Sequence, residues 1–244
     1  MSETLLGIPI DTASINDITR ATKLMLRKKT RDHVLWIVTA NPELFVHARR
    51  DPILRETLQQ TDVIVPDGIG IVLALLLLRR HRLHRVTGIE LLSHLIATID
   101  SREFFFFGGH ESIVKTAAEQ LDIPNWHHGY GSNLDDPGAT DATGAIIAIN
   151  RSNARILCVG LGSPKQEHWI AEHRNDFEQV RVVIGVGGIF DILAGALPRA
   201  PRFLRRCGLE WLWRLYIEPQ RIKRAWNAVV IFPYLVARYR THAT

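Results

Sequence analysis

Residues 155–166, RILCVGLGSPKQ, and residues 181–191, RVVIGVGGIFD, decide the fold. Each is a short apolar run rich in β-branched residues that ends in glycines and hands over to a helical pattern, as a strand feeding a loop and a helix does. The same grammar recurs upstream. Val34–Thr39, Asp62–Val65 and Glu103–Phe107 read as strands, followed by TANPE, PDGIG and GGHES as strand-to-helix loops. Leu5–Ile8 and Trp126–Gly129 read as additional edge strands. Strands alternating with helices predict the α/β class, a Rossmann-like, mainly parallel sheet covered by helices. In open sheets of this kind ligands bind beyond the carboxyl ends of the strands, where the strand order reverses.

The chain of 244 residues is long enough for one large α/β domain plus an appendage, with no need of covalent staples. Its two cysteines, Cys158 in a strand candidate and Cys207 in a basic segment, have no close spacing. That argues for a reduced, cytoplasmic protein without a disulfide or zinc site. The first residues, MSETLLGIPID, lack the basic start and apolar core of a signal peptide. The net charge of +5 is unevenly spread: from Arg199 to Thr244 ten Lys and Arg face only Glu210 and Glu218. The composition changes near Pro198, so residues 1–198 are expected to form the catalytic domain and 199–244 a basic, tryptophan-rich helical appendage. Spanning a bilayer takes about 20 apolar residues. Ile69–Leu78 is too short and reads as a buried helix, and Ala225–Ala237 is interrupted by Asn227 and Pro233. The chain is expected to lie on a membrane surface rather than cross it.

Several residues at the strand ends suit chemistry, and each has a plainer reading beside it. Asp67 is either a general base at the end of a strand or a turn and N-cap residue for the helix after it. Asn41 before Pro42 reads as an N-cap with proline at the first helical position, and Thr39 as a strand residue. Arg85 either neutralises a diphosphate with its planar fork or is solvated beside Arg79, Arg80 and Arg82. Ser163–Gln166 reads as a capping box with Pro164 at the first helical position, while Gly160 and Gly162 would let the backbone approach a ligand. Gly187 and Gly188 follow a strand as a weak nucleotide-loop signal, and Asp191 either holds a ribose or uracil or caps a helix. There is no Asp-x-Asp, His-Glu-x-x-His or paired Cys-x-x-Cys. Asp135-Asp136 look like turn residues, and His168/His173 and His81/His84 like surface histidines. No metal and no cofactor are expected.

In the tail, Arg214, Arg221 and Arg224 are interleaved with Trp211, Trp213, Tyr216 and Trp226, and Pro219 predicts two short helices that break at Glu218-Pro219. Basic amphipathic segments with interfacial aromatics lie in membrane surfaces. At about 1 kcal/mol per basic residue near an anionic leaflet, half of the tail's charges would stabilise attachment by roughly 4–5 kcal/mol. Nucleic acid is the other partner of basic patches, but the tail has no recognisable module for it and VVIFPYLVA suits lipid, so no nucleic acid is expected.

Taken in order, TANPELFVHARRDP (39–52), VIVPDGIGIV (63–72), CVGLGSPKQEHWI (158–170), GVGGIFDILAGALPRAP (185–201) and GLEWLWRLYIEPQRIKRA (208–225) closely resemble the WecG/TagA/CpsF glycosyltransferase family of bacterial cell-envelope synthesis. The likeness runs from about Gly7 to Arg224. It implies an inverting transferase that moves N-acetylmannosamine, its uronic acid or glucose from a UDP-sugar to a polyprenyl-diphosphate-linked sugar, without a metal. By residue-for-residue match it makes Asp67 the catalytic base. Thr39, Asn41 and Gln166 would line the donor site, with Gly187, Gly188 and Asp191 beside them. Arg85, helped by Arg214, Arg221 and Arg224, would serve the diphosphates and the acceptor. Ile89-Glu90 departs from the Gly-x-Asp expected there, and the segment HHGYGSN is less family-like than its flanks. The resemblance places the protein at the inner face of the cytoplasmic membrane, and it leaves room for a homo-oligomer because relatives self-associate. Two other classes stay open: an NAD-dependent α/β enzyme, and a non-catalytic membrane-surface scaffold.

Overall fold

Successive residues of the central strands pack into two different cores, and this alternation builds a sheet covered on both faces. The computed structural model of the protein describes residues 2–78, 85–129 and 142–242. Strands β1 (Ser2–Leu5) and β2 (Ile8–Asp11) form a separate antiparallel hairpin. The main sheet contains β3 (Leu35–Ala40), β4 (Val63–Pro66), β5 (Phe104–Phe107), β6 (Asn125–His127), β7 (Ile156–Val159) and β8 (Val182–Gly185). All pair in parallel, in the order β4-β3-β8-β7-β5-β6.

The helices in the first half are α1 (Ile15–Arg27), α2 (Pro42–Arg50), α3 (Pro52–Gln59), α4 (Ile69–Leu77), α5 (Gly88–Thr98) and α6 (Glu111–Gln120). The second half adds α7 (Ala142–Arg151), α8 (Lys165–His173), α9 (Ile189–Leu193), α10 (Arg202–Arg206), α11 (Glu210–Ile217), α12 (Ile222–Trp226) and α13 (Phe232–His242). Trp36, Val38, Phe105, Phe107, Leu157 and Val159 face one core with residues of α2, α3, α4, α7, α8 and α13. Ile37, Phe104, Phe106, Ile156, Cys158 and Ile184 face the other, with α1, α5, α6 and α9.

The five principal strands and the edge strand near Trp126 lie where the sequence predicts them. Leu5–Ile8 does not form one strand: Leu6 and Gly7 take positive φ of 52° and 82°, which turns the chain tightly between β1 and β2. The helix after Asp67 is also not wholly buried, since Leu73, Leu76 and Leu77 of α4 are exposed. The tail breaks at Glu218-Pro219 as expected. Beyond the break it is not a single short helix: a 3-10 turn (Pro219–Arg221), α12, a π-helical segment (Asn227–Ile231) and α13 follow one another. Pro233 brings no N–H to the ladder, and the wider π turn just before it accommodates that missing donor. Phe232 in α13 is buried against Phe45 of α2, with ring centroids 5.7 Å apart, so the end of the tail shares the core of the first half. His81, His84, Arg79, Arg80, Arg82 and Asp135-Asp136, with residues 132–141 of the polar loop, lie outside the described residues.

Candidate active site

Strand register brings the predicted residues together. The β3–β8 ladder ends with Val38 opposite Gly185 and the β3–β4 ladder with Ala40 opposite Pro66, so Thr39, Asn41, Asp67 and Gly187 all emerge at the same edge. This is where the strand order reverses, because β3 is flanked by its successor β4 and by the last strand, β8. A cleft of about 520 Å³ opens there. The tail closes its far side with Arg214, Arg221 and Arg224, and Arg85 joins the lining from the segment before α5.

Asp67 is held by its backbone, whose N–H donates to the Ala40 carbonyl at 2.8 Å. It is not a helix cap; Gly68 takes the N-cap position of α4. Gly68 is required there because a β-carbon would come within 2.5 Å of Pro42 Cδ. Asp67 lines the cleft and is otherwise largely enclosed by protein. Burial pushes its pKa up to about 7, against the stabilising backbone N–H of Gly88 at the start of α5. Glu210 and Glu90 push it the same way, and Arg85 pulls it down. A carboxyl with a pKa close to neutrality is well matched to general-base work.

Around Asp67 the donor-side residues divide by what they touch. Asn41 caps α2, its Oδ1 accepting the Leu44 N–H at 3.0 Å, and it also lines the cleft. The Thr39 hydroxyl donates to the Gly185 carbonyl at 3.2 Å, bridging β3 and β8 beneath the cleft. Gln166 is 5% exposed, and its Oε1 accepts the Gly187 N–H at 2.9 Å while its Nε2 donates to Glu167 Oε1 at 2.8 Å. A β-carbon on Gly185 would come within 2.6 Å of that Nε2, so the glycine is what admits the amide. The expected capping box is therefore absent: Pro164 is the N-cap of α8, and Gln166 turns inward to the β8 loop instead of back toward Ser163. Gly160 likewise serves packing, since a β-carbon there would strike the Phe190 ring at 2.6 Å.

The cationic wall is built from the tail. Glu218 Oε2 lies 2.9 Å from Arg214 Nε, and its Oε1 lies 3.2 Å from Arg221 Nε, so one carboxylate is shared by two guanidiniums. Burial and the repulsion of Arg214 hold Arg221 below the usual arginine range. Arg224 reaches Glu43 at 3.5 Å. A methyl on Gly188 would sit 3.3 Å from Asp191 Oδ2, 3.6 Å from Arg214 Nη2 and 3.9 Å from Arg221 Nη2. Asp191, Arg214 and Arg221 thus converge over Gly188, although Asp191 does not itself line the cleft. Arg85 is not a solvated arginine: its Nη2 donates to the Arg205 carbonyl at 3.0 Å and lies 3.5 Å from Glu210 Oε2.

The family model described as "Glycosyl transferase WecG/TagA/CpsF family" matches residues 3–244. The chain belongs to this family, and it is a glycosyltransferase. It is similar to the N-acetylglucosaminyldiphosphoundecaprenol N-acetyl-beta-D-mannosaminyltransferases of Staphylococcus aureus strains NCTC 8325 / PS 47 and COL. Each is 34% identical over 242 residues, which cover 96% of this chain and 91% of the relative.

Within this family framework, the cleft brings Thr39, Asn41, Asp67, Arg85, Gln166, Gly187, Gly188, Arg214, Arg221 and Arg224 together from opposite ends of the sequence. Reading the sequence missed the carboxylates that organise them. Glu43 looks only like a favourable first-turn acid of α2 and has no local signal for Arg224, whereas Glu218 lies four residues after Arg214 and three before Arg221, spacings that bring ion-pair partners together on one helical face. Glu167 was missed too. It is 1% exposed, and burial raises its carboxyl above the usual range against the opposing hydrogen bonds of Gln166 and Ser163. Its place in the family-like stretch 158–170, next to Gln166, was the available signal. His168 pairs with Asp51 at 2.8 Å and His173 with Asp176 at 3.0 Å. Among the described residues no three His, Cys, Asp or Glu side chains converge in a metal-ligand set.

Proposed function

We propose that this chain transfers N-acetylmannosamine, or a sugar of that class, from a UDP-sugar to a polyprenyl-diphosphate-linked N-acetylglucosamine, with inversion at the anomeric carbon. The names of the curated relatives support the acceptor and the sugar transferred. The observation that carries the mechanism is Asp67, a carboxyl with a pKa raised to about 7 at the floor of a cleft whose opposite wall is arginine.

In one displacement the acceptor hydroxyl gives its proton to Asp67 while its oxygen bonds the anomeric carbon. The bond from that carbon to the UDP oxygen breaks, and the electron pair leaves with the diphosphate. Arg214 and Arg221 offset the charge that develops there, as preorganised cations do in a partly dehydrated site. Gln166 acts through the backbone it holds: by fixing Gly187 it shapes the loop that bears Gly188 beneath those guanidiniums. Holding both substrates in one cleft makes the step effectively unimolecular.

No described helix is long and apolar enough to cross a membrane. The basic tail with exposed Phe203, Trp226 and Tyr216 supports peripheral attachment, which a lipid-linked acceptor would place at the inner face of the cytoplasmic membrane.

UDP release by the purified full chain, with a panel of UDP-sugars and a polyprenyl-diphosphate-N-acetylglucosamine acceptor in EDTA, tests the reading. The expected release depends on both substrates and falls by several orders of magnitude in Asp67→Asn. Release without acceptor, or wild-type turnover in that variant, would overturn it.

A further inference from the structure

The cleft does not end at its arginines. Beyond them it continues between α4 and the C-terminal helical run, and the chemistry of its walls changes along the way. Arg221, Arg224, Ala225, Ala228, Val229 and Pro233 all line it. Their spacing of three or four residues marks a single helical stripe. Two cations come first, and only small or apolar residues follow.

The opposite wall has the same polarity. Asp67 stands just before α4, and Ile69 and Leu73, one turn apart, line the cleft after it. At its outer end the passage opens to solvent: Leu73 is 56% exposed, Val229 45%, and Leu76 and Leu77 extend the apolar surface at 41% and 50%. Trp211 and Leu215 form a further side. The walls converge on a floor, since a β-carbon on Gly70 would lie 2.9 Å from Pro42 and 3.9 Å from the Phe232 ring. The feature is thus a groove continuous with the catalytic cleft, not a flat patch.

We propose that this groove is the subsite for the first isoprene units of the acceptor's polyprenyl chain. The proposal rests on the transferase reading above and adds where the lipid leaves the site. An amphiphile made of a sugar, a diphosphate and a hydrocarbon finds a partner for each of its parts within one cleft, in Asp67, the Arg221–Arg224 pair and the apolar stripe. Hydrocarbon laid along that stripe is withdrawn from water on two sides, which an exposed apolar groove favours. It also gives Leu73 and Val229 an apolar partner.

The test compares two acceptors with the same N-acetylglucosamine diphosphate head, one carrying an ethyl group and one a farnesyl chain. Both are supplied as monomers in buffer without vesicles or detergent, so no bilayer takes part. The wild-type chain is expected to show at least a tenfold lower KM for the farnesyl acceptor, and Leu73→Gln/Val229→Gln to remove most of that preference. Turnover of the ethyl acceptor and the melting temperature of the double variant should stay close to wild type. Equal KM values for the two acceptors in the wild type would overturn the proposal and assign these residues to the bilayer itself. An undiminished preference in the double variant would overturn it as well. Should neither acceptor turn over, the transferase reading fails separately; binding of farnesyl diphosphate against ethyl diphosphate then reads the groove alone, and equal affinities would reject it.

Discussion

The carboxamide oxygen of Gln166, on α8, accepts the backbone N–H of Gly187 at 2.9 Å, just beyond the end of β8. One side chain thereby fixes the position of the loop that carries Gly188. Removing it in Gln166→Ala leaves a half-buried N–H unpaired, at a cost of at most about 1–3 kcal/mol. Gln166→Glu keeps the acceptor but sets a second carboxyl beside Glu167, whose own proton affinity is already raised. We expect Gln166→Ala to lower the melting temperature and raise the donor KM, and Gln166→Glu to lose more activity at pH 8 than at pH 6. A ratio of Gln166→Glu to wild-type activity that is the same at pH 6 and pH 8 would refute the assignment.

The raised pKa of Asp67 makes both activity and stability depend on pH. As a base it must be ionised, so kcat/KM should rise with pH through an apparent pKa of about 7. Stability moves the other way. The folded state holds the proton up to about pH 7 while the unfolded chain releases it near 3.8, so the folded state loses relative stability as pH climbs between the two. Three units at about 1.36 kcal/mol each set a ceiling of roughly 4 kcal/mol. Asp67→Asn should be inactive, more stable than wild type at pH 8, and no more stable at pH 3.5. Denaturant unfolding at the two pH values checks this, and a wild-type advantage at pH 8 would contradict it.

Glu218 occupies two guanidiniums that are proposed to receive a diphosphate. Replacing its carboxylate with an amide, in Glu218→Gln, would free Arg214 and Arg221 while loosening the turn between α11 and the rest of the tail. We expect this variant to bind UDP several-fold more tightly by calorimetry and to melt at a lower temperature. Arg221→Ala should weaken UDP by about tenfold or more, as hydrogen bonds to charged groups contribute about 1.5–3 kcal/mol. Weaker UDP binding in Glu218→Gln would show that the carboxylate orients the arginines rather than competing for them.

Phe203 and Tyr216 are exposed on the basic tail, at 72% and 79%. Phe203→Ser/Tyr216→Ser should reduce flotation with vesicles rich in anionic lipid, and raising the salt should reduce the binding of wild type and variant alike. Flotation that is unchanged by both treatments would remove the tail from the membrane surface.

The architecture of this protein is written locally along its chain. Alternating apolar runs at Val34–Thr39 and Arg155–Val159, the Asn41-Pro42 cap and the break at Glu218-Pro219 act within a few residues of themselves, and so do the ordered motifs that carry the family. The rest came from contacts between distant segments. Arg85 binds the Arg205 carbonyl, 120 positions away, and Glu43 meets Arg224 only because the tail folds back across α2. The capping-box pattern at Ser163 was a correct local signal overruled by Gly187, a distant backbone donor that the same glutamine satisfies. The leucines of α4 read as core by hydropathy, yet three of them stay exposed because no element of the described fold covers them. Burial, charge pairing and the pKa of Asp67 depend on which distant segments share a cleft, and a local pattern carries no information about that.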